Sequence, residues 1–328
     1  MYLSYFGLQE KPFSISPNPH YLFLSERHKE ALAHLTYGLG EDGGFVLLTG
    51  EVGTGKTTIT RSMLERLPEN TQVAMIHNPA LSELELLASI CDELQITYDA
   101  KNATLKSLTD VIKKHLEFNN KAGGHTILII DEAQLLAPDV LEQLRLLTNI
   151  ETDHKKLLQI VLVGQPELQV LLKRNELRQL AQRITARYHL LALTPGQTIA
   201  YIQHRLHIAG CDKKIFSMEA MHMVHQLTGG VPRLMNLVCE RALVGAFSKQ
   251  QEIVGSDIVK QAASESLPID FIVTNNKVSK TGSIWLITLS MSCSSCCASV
   301  CALSPVNTGM SLISQSSMAE ARSKYSLF

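Results

Sequence analysis

The sequence is short of net charge: 30 basic and 31 acidic side chains leave −1 over 328 residues. That balance speaks against a strongly basic nucleic-acid binder, though a local basic face stays open. The first residues lack the basic stretch and apolar run of a secretory leader, so the chain is expected in the cytosol. Among 12 histidines no two share a helix face with a carboxylate base, and neither a Ser-His-Asp set nor a G-x-S-x-G elbow occurs. Neither a metallohydrolase nor a serine-hydrolase reading is supported. His204 and Arg205 read as surface or packing residues.

From Thr281 to Ala319 there is no charged residue. Residues 284–303 are long enough to cross a bilayer at ~1.5 Å per residue. Lys277 and Lys280 before them fit a cytoplasmic N-terminal side, and attachment to an inner membrane through this tail is one expectation. Five serines and a threonine inside the run weaken it. A low-complexity tail and an altered reading frame fit equally. Of seven cysteines, Cys91, Cys211 and Cys239 fall in helical patterns and are expected reduced in the core. Cys293, Cys296, Cys297 and Cys301 cluster in the tail, without the histidines or second knuckle a zinc site needs.

Against these absences stands Gly50–Thr57, reading Gly-Glu-Val-Gly-Thr-Gly-Lys-Thr. An apolar run, Phe45–Leu48, precedes it, and a helical periodicity from Thr58 follows. Strand, glycine loop, Lys-Thr and helix together make a P-loop. Glycines let backbone N–H groups turn inward around phosphate oxygens. The helix N-terminus adds partial positive charge. Candidate nucleotide ligands are therefore Gly50, Glu51, Val52, Gly53, Thr54, Gly55, Lys56, Thr57 and Thr58. Lys56 would reach the β- and γ-phosphates of ATP, and the Thr57 hydroxyl would ligate Mg²⁺.

Strand patterns at Phe45–Leu48, Thr71–Ile76, His125–Ile130, Leu157–Val163 and Ala186–Leu193 alternate with helical ones. That alternation predicts an α/β fold with a parallel sheet flanked by helices. After Pro195 only helices are expected, at Pro195–Ala209, Ser217–Thr228, Pro232–Phe247 and Ser256–Ser264. Ser217 and Ser256 are the expected N-caps of two of them. The predicted divisions are a lead-in and helix over 1–43, a P-loop core over 44–194, an all-helical lid over 195–266, and a linker and apolar tail over 267–328.

Four further positions carry chemistry. Thr126–Ile130 reads as a buried strand that delivers Asp131 and Glu132 to its C-terminal edge, where ligands sit in open α/β sheets. Asp131 would hold Mg²⁺, and Glu132 would polarise the attacking water. Gln165, at the tip of the fourth strand, could hydrogen-bond that water or the γ-phosphate. Arg183, with Arg187 and then Arg178 as alternatives, could enter a neighbouring subunit's site and stabilise transition-state charge. Arg233 follows Gly229-Gly230-Val231-Pro232 at the start of a lid helix and would point back to the phosphates.

These elements, in this order and followed by a helical lid, resemble an AAA+ P-loop NTPase. More specific are Tyr5-Phe6-Gly7-Leu8, Pro12-Phe13-Ser14, Pro17-Asn18-Pro19, Tyr21–Leu24, Gly164–Leu168, Gln182–Ile184 and Gly229–Leu234 with Asn236. Together they resemble the general secretion pathway protein A (ExeA) family over roughly 1–266. The resemblance implies a five-stranded sheet of order 5-1-4-3-2, Mg-dependent ATP hydrolysis, and a hexamer-like ring. It also implies inner-membrane partners: the machinery that builds a type IV-like pilus, such as the mannose-sensitive haemagglutinin pilus, or a type II secretion system. Tyr21–Leu24 would lie near adenine. The family's peptidoglycan-binding region is not matched, because only 25 residues follow the apolar run. Two alternatives remain open at this point: a helper ATPase of a nucleic-acid process such as transposition, and a nucleotide-gated scaffold with little turnover.

Overall fold

The computed structural model describes residues 1–15, 18–39, 44–77, 79–152, 155–211 and 213–267. Five parallel strands form one sheet: β1 (Phe45–Gly50), β2 (Thr71–Ile76), β3 (His125–Ile130), β4 (Gln159–Gly164) and β5 (Ile184–Leu190). Their order is β2-β3-β4-β1-β5, the order the resemblance implied. β1 is flanked on both sides, with Phe45 level with Ile160 of β4 and Val46 level with Ala186 of β5. Every residue of β1 and β4 is buried. That burial explains why these strands read as continuous apolar runs and not as alternating ones.

Side chains on successive strand positions face opposite sides, so each strand feeds two cores. Phe45, Leu47, Leu128, Ile130, Ile160 and Leu162 pack on one face, against α4 (Glu83–Glu93), α5 (Leu105–Lys121) and α6 (Pro138–Leu147). Val46, Leu48, Ile127, Ile129, Val161 and Val163 pack on the other, against α2 (Glu26–Gly38) and α3 (Lys56–Leu64). α4 and α5 each begin with a capping box, Ser82 with Glu85 and Thr104 with Ser107, which satisfies two otherwise orphaned N–H groups per helix. Leu162 is fully buried in the middle of β4. Leu162→Ala is expected to destabilise the fold by about 2–5 kcal/mol. The check is a shift of the urea midpoint at unchanged slope.

A third core is built by α9 (Pro195–Ile208), α10 (Met218–Thr228), α11 (Pro232–Ser248) and α12 (Ser256–Ser266). The short α1 (Tyr2–Phe6) and the extended lead-in join it through Phe6, Leu8, Phe13 and Tyr21. The residues before β1 therefore belong to two bodies: the lead-in packs on the helical lid, while α2 packs on β1 and β5. The Phe13 ring meets Phe216 edge-on, with centroids 6.0 Å apart.

Ser217 caps α10 as expected, accepting from the Ala220 N–H. Ser256 does not cap α12. The cap is Gly255, and Ser256 is already helical. The chain arrives extended, because Val254 is bridged to Phe216, and Gly255, still extended at φ −87°, takes the cap position one residue early. Two short helices escape the periodicity reading, α7 (Glu167–Leu171) and α8 (Arg178–Gln182); each is only five residues long. Cys91, Cys211 and Cys239 are free and buried. Among the described residues no helix is long and apolar enough to cross a membrane. Residues 284–303, which contain the four tail cysteines, lie outside the described residues.

Candidate functional site

The glycine loop leaves the C-terminal end of β1 and enters α3 with Gly55 as its N-cap, at φ 105°. A glycine cannot cap with a side chain, and none caps this helix. The first-turn N–H groups of Lys56, Thr57 and Thr58 are left facing the cleft, which makes an anion site. Gly53 also has positive φ, and a Cβ there would stand 2.5 Å from the Cβ of Arg233. Glycine is thus required at Gly53 for the lid to approach. The lid does approach: the Arg233 N–H donates to the Gly53 carbonyl at 3.3 Å.

Lys56 is 7% exposed. Its ammonium folds back onto the loop, donating to the carbonyls of Gly50 at 2.8 Å and Glu51 at 3.1 Å. Burial pushes its pKa down, while Glu132, Asp131, Glu51 and Glu167 nearby favour the charged form. Thr57 is exposed beside it, and Arg233 is an exposed side chain on the lid wall.

Asp131 and Glu132 follow the tip of β3. The Asp131 Oδ1 accepts from the Glu132 N–H at 2.9 Å. Glu132 has left-handed backbone, φ 52°, where the chain turns into the short helix Ala133–Leu135. Its carboxylate Oε2 accepts from Gln134 Nε2 at 2.6 Å and from Gln165 Nε2 at 3.1 Å. The Gln134 bond holds Glu132 below the usual carboxylate range; Gln165 and Lys56 add to this, and burial opposes it. Gln134 Oε1 in turn accepts from the Gln165 N–H at 2.9 Å. The tips of β3 and β4 are therefore joined through three side chains. A hydroxyl and a carboxylate suit Mg²⁺, which takes few protein oxygens and completes its shell with phosphate and water.

One cleft of about 410 Å³ takes in the glycine loop and Glu132. Residues Val52–Thr58 line one side of it, and Tyr201, Arg205, Arg233 and Asn236 of the lid line another. Tyr21, Leu22 and Phe23 line its lead-in wall. Arg205 is not on the surface: it is 5% exposed, donates to the Tyr201 hydroxyl at 2.7 Å, and lies over the Tyr21 ring at 4.8 Å. Tyr201 passes its own proton to Asn236 Oδ1 at 2.8 Å. The sequence reading also missed His28. This histidine is buried behind the glycine loop, and burial holds its imidazole below the ordinary range, so it is neutral at pH 7.

Arg183 lies elsewhere. It precedes β5, at the level of Phe45, and so stands at the sheet edge opposite the glycine loop. Its guanidinium donates to the Arg145 carbonyl and to Thr148 Oγ1, each at 3.0 Å. Arg187 donates to the Ala181 carbonyl. The Arg178 side chain is exposed and makes no hydrogen bond or ion pair among the described residues.

This parallel sheet, its glycine loop and the acidic pair at the tip of β3 define a P-loop NTPase of the AAA class. Residues 40–172 match the family described as "AAA domain", and the chain carries that domain. It is also a relative of "General secretion pathway protein A" of Aeromonas hydrophila: the two are 60% identical over 259 residues. That match covers 79% of this chain and 47% of the relative, so the chain spans about half of that protein's length. Solved structures share the fold. Cdc6p from Pyrobaculum aerophilum has TM-score 0.62 and 20% identity, over 78% of this chain and 70% of that one. A Drosophila ORC chain, from a complex bound to DNA, has TM-score 0.62 and 19% identity, over 81% and 66%.

Proposed function

We propose that the chain binds ATP with Mg²⁺ in the cleft between core and lid, hydrolyses it, and uses the cycle to drive assembly of a secretion or type IV-like pilus machine. The observation that carries the chemistry is the uncapped start of α3, with the buried Lys56 ammonium beside it and Glu132 among its nearby charges. The link to secretion rests on the similarity to General secretion pathway protein A.

In this reading the first-turn N–H groups of α3 and Lys56 hold the phosphates. Lys56 exchanges two loop carbonyls for phosphate oxygens. Thr57 and Asp131 would hold Mg²⁺, which would supply positive charge at the phosphates. Glu132 orients the attacking water and takes its proton. Gln165 steadies that carboxylate or the γ-phosphate. Arg233 senses the nucleotide from the lid.

Arg183 cannot serve its own site, because a six-residue strand at ~3.3 Å per residue puts about 16 Å between the two sheet edges. It is proposed to act on a neighbour in a ring. To do so it must first leave Arg145 and Thr148, whereas the side chain of Arg178, at the start of α8, has no such acceptors. Turnover per protomer is therefore expected to rise with protein concentration, since assembly follows mass action. The check is ATPase rate against concentration alongside sedimentation. A rate per protomer that stays flat while the protein goes from monomer to oligomer would remove the shared site.

A further inference from the structure

We infer that His28 is a positioning residue: it fixes the Thr54–Gly55 peptide plane so that the Gly55 N–H faces the phosphate cradle. The inference rests on the nucleotide-binding reading above and extends it to a residue outside the glycine loop.

The argument begins at Ser25, the N-cap of α2. Its Oγ accepts from the His28 N–H at 3.4 Å, as a cap does. The same Oγ lies 2.6 Å from His28 Nδ1. With a lone pair of the hydroxyl directed at the N–H, its proton is available to Nδ1. Nδ1 then accepts, and a neutral imidazole must carry its hydrogen on Nε2. Nε2 lies 3.3 Å from the Thr54 carbonyl oxygen, and so donates to it. The cap of α2 thereby sets the tautomer of a ring that holds the glycine loop.

Peptide planarity supplies the next step. In a trans peptide the C=O of one residue and the N–H of the next point in opposite directions. A Thr54 carbonyl drawn back onto His28 turns the Gly55 N–H the other way, toward the open cleft. No protein acceptor among the described residues takes that N–H. Gly55 also has to be glycine for the ring to fit, because a Cβ would lie 2.9 Å from His28 Nε2, on a backbone with φ 105°. The glycine and the histidine thus account for each other. A packing role alone would be met by an aliphatic side chain, which could fill the space and could not donate.

The test is affinity for N-methylanthraniloyl-ATP, measured by fluorescence on the full chain, with a thermal melt of each variant. His28→Ala is expected to weaken binding about tenfold, as one lost hydrogen bond to an oriented backbone group allows. His28→Gln restores an amide donor at similar reach and is expected to recover to within about threefold of the wild type. Ser25→Ala keeps the ring and releases its tautomer, with an expected loss of about threefold, and it covers the case in which His28→Ala fails to fold. Equal weakening in the Ala and Gln variants overturns the inference, because packing then explains the loss. Unchanged affinity in His28→Ala or, where that variant does not fold, in Ser25→Ala also overturns it. Wild-type protein that does not bind the analogue overturns the nucleotide reading itself, and the inference with it.

Discussion

Lys56→Ala is expected to abolish measurable nucleotide binding, with affinity falling at least roughly a hundredfold. The estimate follows from hydrogen bonds to charged groups at about 1.5–3 kcal/mol each, of which a lysine between two phosphates makes about two. The local structure makes the loss steeper. Lys56 is buried, and among the described residues that line the cleft the other basic side chains are Arg61, Arg205 and Arg233. Arg233 is on the lid and Arg61 is a turn further along α3, so neither replaces an ammonium held at the Gly50 and Glu51 carbonyls. The measurement is calorimetry with ATP and Mg²⁺ on wild-type and variant protein of matched melting temperature. A variant that still binds within threefold of the wild type would remove Lys56 from the site.

Glu132→Gln is expected to leave binding intact and to slow hydrolysis by about 10²–10⁴-fold, the range for losing a positioned general base. The substitution is nearly isosteric. The amide oxygen it introduces can still accept from Gln134 Nε2 or Gln165 Nε2, so the link between the tips of β3 and β4 can survive. What is lost is the negative charge and the capacity to take a proton. The protein should then accumulate in its ATP-bound state, which rapid filtration of labelled nucleotide would show as retained triphosphate. An enzyme with undiminished turnover would take the role of base away from Glu132. Binding that fell as far as turnover would mean the carboxylate acts in holding nucleotide.

The framework of this fold is legible in the sequence because its central strands are buried on both faces. β1, β3 and β4 must be apolar at nearly every position, and such runs stand out. The glycine loop is legible because positive φ at Gly53 and Gly55 restricts the residue choice. The partners behind that loop are not. Ser25-x-x-His28 looks like any capped helix start, and only the packing of α2 beneath the loop gives the imidazole a second task. Arg205 reads only as a surface or packing residue, because nothing local reveals that Tyr21, about 180 residues earlier in the chain, will cover it. Gln134 stands beside the acidic pair, yet its reach to Gln165 depends on β4 lying next to β3. Ser256 shows the opposite error, a plausible cap displaced by a tertiary bridge at Val254.

The split of the first 38 residues has a mechanical consequence. The lead-in belongs to the lid and α2 to the core, so the chain crosses the cleft once near Leu24–Ser25. It crosses again between β5 and α9. A body strung at two points has one easy motion, a swing about the line that joins them. Sliding away from the core would stretch both crossings. A nucleotide-driven movement of the lid would therefore be a rotation, and it would carry α1 and the lead-in with it.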